Sequence, residues 1–213
     1  MKKIISLLLI ISMLALVFVS CGKTKNPEDT TSGSSAATTE ATTETTQKPV
    51  EIKNTDYAVE DLMNKVLEDM GGKVTVIDEF SGEEFELRLT GPTHFNANSK
   101  DESNYYTGLD ASLALVEEDA VYNENMMMGG TPFSMVIVKL KDSKDADKVK
   151  EEMFNGIDMQ KWVCRNADHL ITVDNGNYVL LVMSSQAICE KVANSFDNVL
   201  EEVSGTRLAK NFG

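Results

Sequence analysis

Apolar positions recur along the chain with two different periods, and the switches between them mark the elements. In 57–70, YAVEDLMNKVLEDM, the residues Val59, Leu62, Met63, Val66, Leu67 and Met70 share one side of a 3.6-residue repeat. That spacing predicts an amphipathic helix, and Gly71-Gly72 stops it. The next segments alternate instead. KVTVI at 73–77 and FELRL at 85–89 read as strands, the second with Phe85, Leu87 and Leu89 on one buried face. Ser81-Gly82 supplies a turn between them. Residues 91–108, rich in Gly, Asn, Ser and Asp, read mainly as loop, and LALVEEDAVYN at 113–123 reads as holding a strand.

The second half is more regular. FSMVIVKL at 133–140 is apolar almost throughout, as in a strand buried on both faces. Residues 142–163 read as an amphipathic helix with Ala146, Val149, Met153 and Ile157 inward, weakened near its middle by Gly156. LITV at 170–173 and YVLLVM at 178–183 read as strands. The intervening Asp174-Asn175-Gly176-Asn177 is hairpin chemistry, because Asn-Gly accepts positive φ at both turn positions. Residues 186–203 form a last helix with Ile188, Val192, Phe196, Val199, Leu200 and Val203 on one side. The pattern predicts a single α+β domain over 56–213, a mainly antiparallel sheet covered by amphipathic helices. The two most apolar strands, 133–140 and 178–183, belong at its centre, with Ile137, Leu181 and Phe196 among the most buried side chains.

The N-terminal 55 residues follow neither period. Met1-Lys2-Lys3 is basic, residues 4–19 are apolar but for two serines, and Ser20-Cys21 follows. This is the layout of a secretory signal over 1–20. The apolar run of 16 residues falls short of the roughly 20 that a spanning helix needs, which disfavours an uncleaved anchor. Phe18-Val19-Ser20-Cys21 resembles a bacterial lipobox. That resemblance implies cleavage before Cys21 and a diacylglyceryl group on its thiol. Two acyl chains, at about 0.8 kcal/mol per buried CH₂, hold a protein stably on a membrane. Residues 21–55 then form the lipidated Cys and a linker. Twelve of residues 24–46 are Ser or Thr, with no aromatic or large aliphatic side chain. Such a segment buries too little apolar surface to offset its chain entropy. As a coil it spans on the order of 30 Å; a glycosylated stalk is the other reading of this composition.

Charge narrows the partners. Residues 56–213 carry 14 Lys and Arg against 29 Asp and Glu, a net charge of −15. Phosphate backbones and anionic head groups repel such a domain, so nucleic acid is excluded as a partner. Membrane contact comes from the lipid on Cys21, which places the domain on the outer face of the cytoplasmic membrane. Two cysteines remain, Cys164 and Cys189. Outside the cell they could bridge as a disulfide, or equally stay free as core thiols.

Catalytic motifs are sparse. The only histidines are His94, in a Pro-Thr-His-Phe loop, and His169, just before a strand. No serine sits in a G-x-S-x-G elbow, and Cys164 and His169 lack a zinc-type partner pair. Met126-Met127-Met128 could bind Cu(I) as thioethers, but neighbours in a strand point to opposite faces, which favours core filling. Gly129-Gly130 then reads as a turn. The acidic groups Asp78-Glu79, Glu83-Glu84-Glu86 and Glu117-Glu118-Asp119 could hold Ca²⁺. Asp142, Asp145 and Asp147 lack the Gly and distal Glu of an EF-hand. The sequence therefore singles out no catalytic, cofactor-binding or metal residue and implies no cofactor.

Tyr105-Tyr106, Met126-Met127-Met128, FSMVIVKLKD at 133–142, the Asp/Lys-rich helix after it and GNYVLLVMSS at 176–185 carry a resemblance over roughly residues 100–200. The chain resembles a family of uncharacterised lipoproteins of Gram-positive anaerobes, a domain of unknown function. The resemblance implies an exported, anchored α+β domain and no known reaction. Two function classes follow. One is a non-catalytic binding or interaction module with a protein or small-molecule partner; the other is an exported small-ligand or metal receptor, or a hydrolase. The weight lies on the first. An open apolar patch over a filled core fits it, and a deep pocket with convergent polar groups fits the second.

Overall fold

A computed structural model describes residues 56–78, 80–125, 130, 132–163, 165–201 and 205–212. The signal segment, Cys21, the linker, Glu79, Met126-Met127-Met128, Gly129, Cys164 and Val203 lie outside the described residues. Among the described residues, four helices, α1 (Val59–Asp69), α2 (Lys100–Thr107), α3 (Ala146–Gly156) and α4 (Gln186–Leu200), pack on eight strands. These are β1 (Lys73–Ile77), β2 (Glu84–Arg88), β3 (Thr93–Asn96), β4 (Asp119–Asn125), β5 (Phe133–Lys139), β6 (His169–Asn175), β7 (Tyr178–Ser184) and β8 (Leu208–Asn211). β1 and β2 form a hairpin of their own; the other six make an antiparallel sheet in the order β3-β4-β5-β7-β6-β8. The fold is α+β with antiparallel sheets, as the hydrophobic pattern predicts.

β5 and β7 lie side by side at the centre because both of their faces are apolar. Phe133, Met135 and Ile137 of β5, with Tyr178, Leu180 and Val182 of β7, meet α1, α4 and the β1–β2 hairpin. Val136 and Val138, with Val179, Leu181 and Met183, face α3 and the chain that follows it. Helices α1 and α4 thus cover one face and α3 the other. Ile137, Leu181 and Phe196 are fully buried. The β6–β7 hairpin forms, with Gly176-Asn177 as its two turn residues and positive φ only at Gly176 (58°). That is a Gly-first turn, not the Asn-Gly turn with both residues at positive φ.

Three readings of the sequence are corrected. Residues 91–108 are not mainly loop: they hold β3, paired to β4, and α2, which Gly108 ends at φ 77°. The stretch 113–123 does hold a strand: β4 starts at Asp119, after a 3-10 turn at Leu113–Leu115. The helix read as 142–163 is a 3-10 turn at Ser143–Asp145, capped by Asp142, then α3, which stops at Gly156. The helix read as 186–203 ends as regular helix at Leu200. Strand β8 was not foreseen; its LAKN alternates between half-buried and exposed and offers no strong period.

The end of α3 is set by contact. A Cβ added at Gly156 would lie 2.1 Å from the Gly108 carbonyl oxygen, and one at Gly108 would lie 2.1 Å from the Ile157 nitrogen. Two backbones meet there with no side chain between them. Beyond Gly156 the chain runs as a non-helical segment whose Ile157, Met159 and Trp162 still reach the core. That segment delivers Lys161 to the sheet.

Candidate functional site

The sheet has two unlike ends. At one, the described chain enters: Asp56 pairs with Lys139 at 2.6 Å, and Tyr57 N–H donates to the Tyr178 hydroxyl at 2.7 Å. Lys139 closes β5 and Tyr178 opens β7. At the other lie the last residues of β4, the first of β5 and β6, and the segment after α3. The polar centre and the exposed apolar side chains gather at this second end.

The polar centre is Lys161. Its ammonium lies 2.7 Å from Glu124 Oε1 at the end of β4, and its side chain is only 3% exposed. It donates to Ser134 Oγ at 3.3 Å. Three rings surround it: Tyr105 at 4.8 Å, Trp162 at 5.2 Å and Tyr106 at 5.6 Å from their centroids. Aromatic faces and one carboxylate are the chemistry that holds a desolvated cation. Burial pulls the Lys161 amine below the ordinary lysine range, and Glu124 offsets part of that. Tyr106 is packed against Tyr122, stacked at 4.0 Å, and against Phe95 at 4.9 Å. Desolvation raises the hydroxyl pKa of both Tyr105 and Tyr106. A Ser–Lys pair can act as nucleophile and base where the amine is neutral and a substrate can reach it. Here Ser134 is fully buried and Lys161 is sealed against Glu124, so the geometry is that of a structural cation under an aromatic lid.

Outside this centre the same end is apolar and open. Phe80, at the tip of the β1–β2 hairpin, is 85% exposed; Ile77 is 55% and Val163 96%. Arg165 joins the hairpin to the segment after α3, its guanidinium 5.8 Å from the Phe80 ring centre. The tip is tightly built. Asp78 Oδ1 accepts from the Phe80 and Ser81 N–H groups at 2.9 and 2.8 Å. Gly82 N–H donates to the Asp78 carbonyl at 2.7 Å, and Asp78 N–H to that of Glu83 at 2.9 Å. The two backbone donors from Ser81 and Phe80 lower the Asp78 carboxyl pKa.

The histidines are far from this centre in role. His94 lies on β3, not in a loop, and bridges two carboxylates: Nδ1 is 2.7 Å from Asp119 Oδ1 and Nε2 is 3.1 Å from Glu60 Oε2. Asp119 first, then Glu60, raise its pKa. The ring ties α1 to the edge of the sheet. His169 opens β6, is buried, and contacts Asn211 Oδ1 through Nδ1 at 2.6 Å. Cys189 is a buried free thiol. Its Sγ donates to the His169 and Val182 carbonyls at 3.5 and 3.7 Å, and burial pushes its pKa up to about 12. Cys164, its candidate disulfide partner, and Cys21 are outside the described residues.

The acidic groups are mostly spent on local contacts. Glu86 pairs with Lys73, Glu118 accepts from Asn96, and Asp142 pairs with Lys144. Among the described residues, no three His, Cys, Asp or Glu side chains are placed to hold a metal ion. The surface recesses, of about 340–500 Å³, are open and polar-edged; one is bordered by His94, Glu102 and Asp119. No described helix is long and apolar enough to cross a membrane. Little in the residue pattern points to Lys161, because a helix through 163 makes it an ordinary polar-face residue. The adjacent Lys161-Trp162 and the Tyr105-Tyr106 pair were the available signals. No family model, curated protein or solved structure matches this chain.

Proposed function

We propose that this protein is a lipid-anchored extracytoplasmic lipoprotein whose α+β domain is a non-catalytic binding module. The anchor reading rests on the apolar run that ends in Ser20-Cys21, and the resemblance to exported lipoproteins of unknown function implies the same placement. The observation that carries the binding reading is the exposure of Phe80, Ile77 and Val163 at the sheet end opposite Asp56, where the described chain enters. Burying a large apolar side chain is worth about 1.5–3 kcal/mol, so leaving several in water at one end favours a partner there. The core beneath is filled, and the buried Lys161 amine at that end is closed off by its rings and Glu124.

The test has two arms on intact cells. An alkyne fatty acid should label the wild-type chain and not Cys21→Ala, and external protease should remove the labelled protein. A photo-crosslinking residue at Val163 should give a discrete adduct that the same residue at Lys148 does not. An unlabelled wild-type chain, or equal adducts from both positions, would overturn the reading.

A further inference from the structure

The partner's chemistry can be read from the hairpin tip, granted the binding-module reading above. Phe80 stands in solvent on a turn closed by its own hydrogen bonds. The Asp78 carboxylate and carbonyl hold three N–H groups of the turn, Ser81 Oγ accepts from Glu83 N–H at 3.2 Å, and Gly82 supplies the positive φ of 73°. An exposed aromatic on a hydrogen-bonded turn loses less chain entropy on docking than one on an open loop, which favours a binding anchor. The charged side chains of the tip itself are all acidic, and the cation beside the ring comes from outside it. The tip sequence, DEFSGEE at 78–84, carries four acidic residues and a single phenylalanine, in a domain of net charge −15; Asp78, Glu83 and Glu84 are among the described residues. Arg165 lies on one side of the ring. We propose that the β1–β2 tip is an acidic aromatic prong, and that its partner is a protein with an apolar pocket rimmed by Lys or Arg. Phe80 fills the pocket, Ile77 and Val163 widen the contact, and the carboxylates of Asp78, Glu83 and Glu84 meet the basic rim. An anionic lipid surface is the opposite choice, since the same carboxylates would be repelled from it.

The test measures binding of the immobilised full-length protein, in detergent, to two model peptides, with a protein-free reference channel. One peptide is an amphipathic Leu/Lys helix; the other has every Lys replaced by Glu. The wild-type protein should bind the Leu/Lys peptide and not its Leu/Glu counterpart, with affinity falling steeply as salt rises. Phe80→Ser should weaken it at least tenfold. Glu83→Gln/Glu84→Gln should weaken it less and flatten the salt dependence. No binding of the Leu/Lys peptide, or no effect of Phe80→Ser, overturns the prong. Equal binding of both peptides, each weakened by Phe80→Ser, overturns the cationic partner alone and leaves the binding-module reading standing. Binding to phosphatidylglycerol vesicles that Cys21→Ala retains and Phe80→Ser loses would overturn the prong in favour of a lipid surface.

Discussion

Lys161 and Glu124 form a buried ion pair, 2.7 Å apart, between the segment after α3 and the end of β4. The two residues meet because α3 stops at Gly156, where its backbone lies against that of Gly108. A helix continued to 163 would carry Lys161 elsewhere. The pair thus depends on a contact between two glycines 48 positions apart in the chain.

Breaking that pair should be costly. Removing one partner of a buried ion pair typically destabilises by about 3–5 kcal/mol, because the other charge is left without compensation. Lys161→Met should therefore lower the urea midpoint sharply, with Glu124 stranded. Lys161→Met/Glu124→Leu should recover most of the loss. Trp162, the only tryptophan, lies 5.2 Å from the ammonium, so its emission should shift in both variants. A single variant as stable as the wild type would refute the pairing.

His94 should make stability depend on pH in a defined direction. Asp119 and Glu60 raise its pKa, so the folded chain holds the proton more tightly than the unfolded one. The contribution is full below the ordinary histidine pKa of about 6.5 and is lost as pH rises through the raised folded value. The pair is solvent-exposed, so the effect should stay under about 1 kcal/mol. His94→Gln should melt below the wild type near pH 5.5 and match it near pH 9. A gap of the same size at both pH values would show that the ring acts by packing alone.

The core should respond to truncation where both sheet faces are sealed. Leu181 is fully buried in β7 under α3, and cutting a buried Leu to Ala costs about 2–5 kcal/mol. Glu118 is exposed, with one surface contact to Asn96, so Glu118→Ala should change stability by less than about 0.5 kcal/mol. Equal urea midpoints for the two variants would contradict the position of β7.

Much of the architecture was legible because local periodicity and burial coincide in it. The uninterrupted apolar runs of β5 and β7 placed them at the centre, and the stripes of α1, α3 and α4 marked their inner faces. Elsewhere the signal was weak. β3, THFN, buries only Phe95, and β8 buries no residue fully; both are short edge strands held by pairing to a neighbour. α2, KDESNYYT, has no apolar stripe, and its buried residues are Ser103 and Thr107. Its tyrosines work as a lid over Lys161, a role that no helical period encodes.

By itself the sequence determined the class of the fold, the two central strands, the faces of the long helices and the acidity of the domain. Each of these follows from residue type and spacing, which act over a few neighbours. The tertiary structure alone decided where α3 ends, that Lys161 is buried against Glu124, that His94 bridges two acids from separate elements, and that Phe80 and Val163 share one end. These depend on groups brought together from distant parts of the chain. Burial, electrostatics and exposure are set by that proximity, and no local pattern records it.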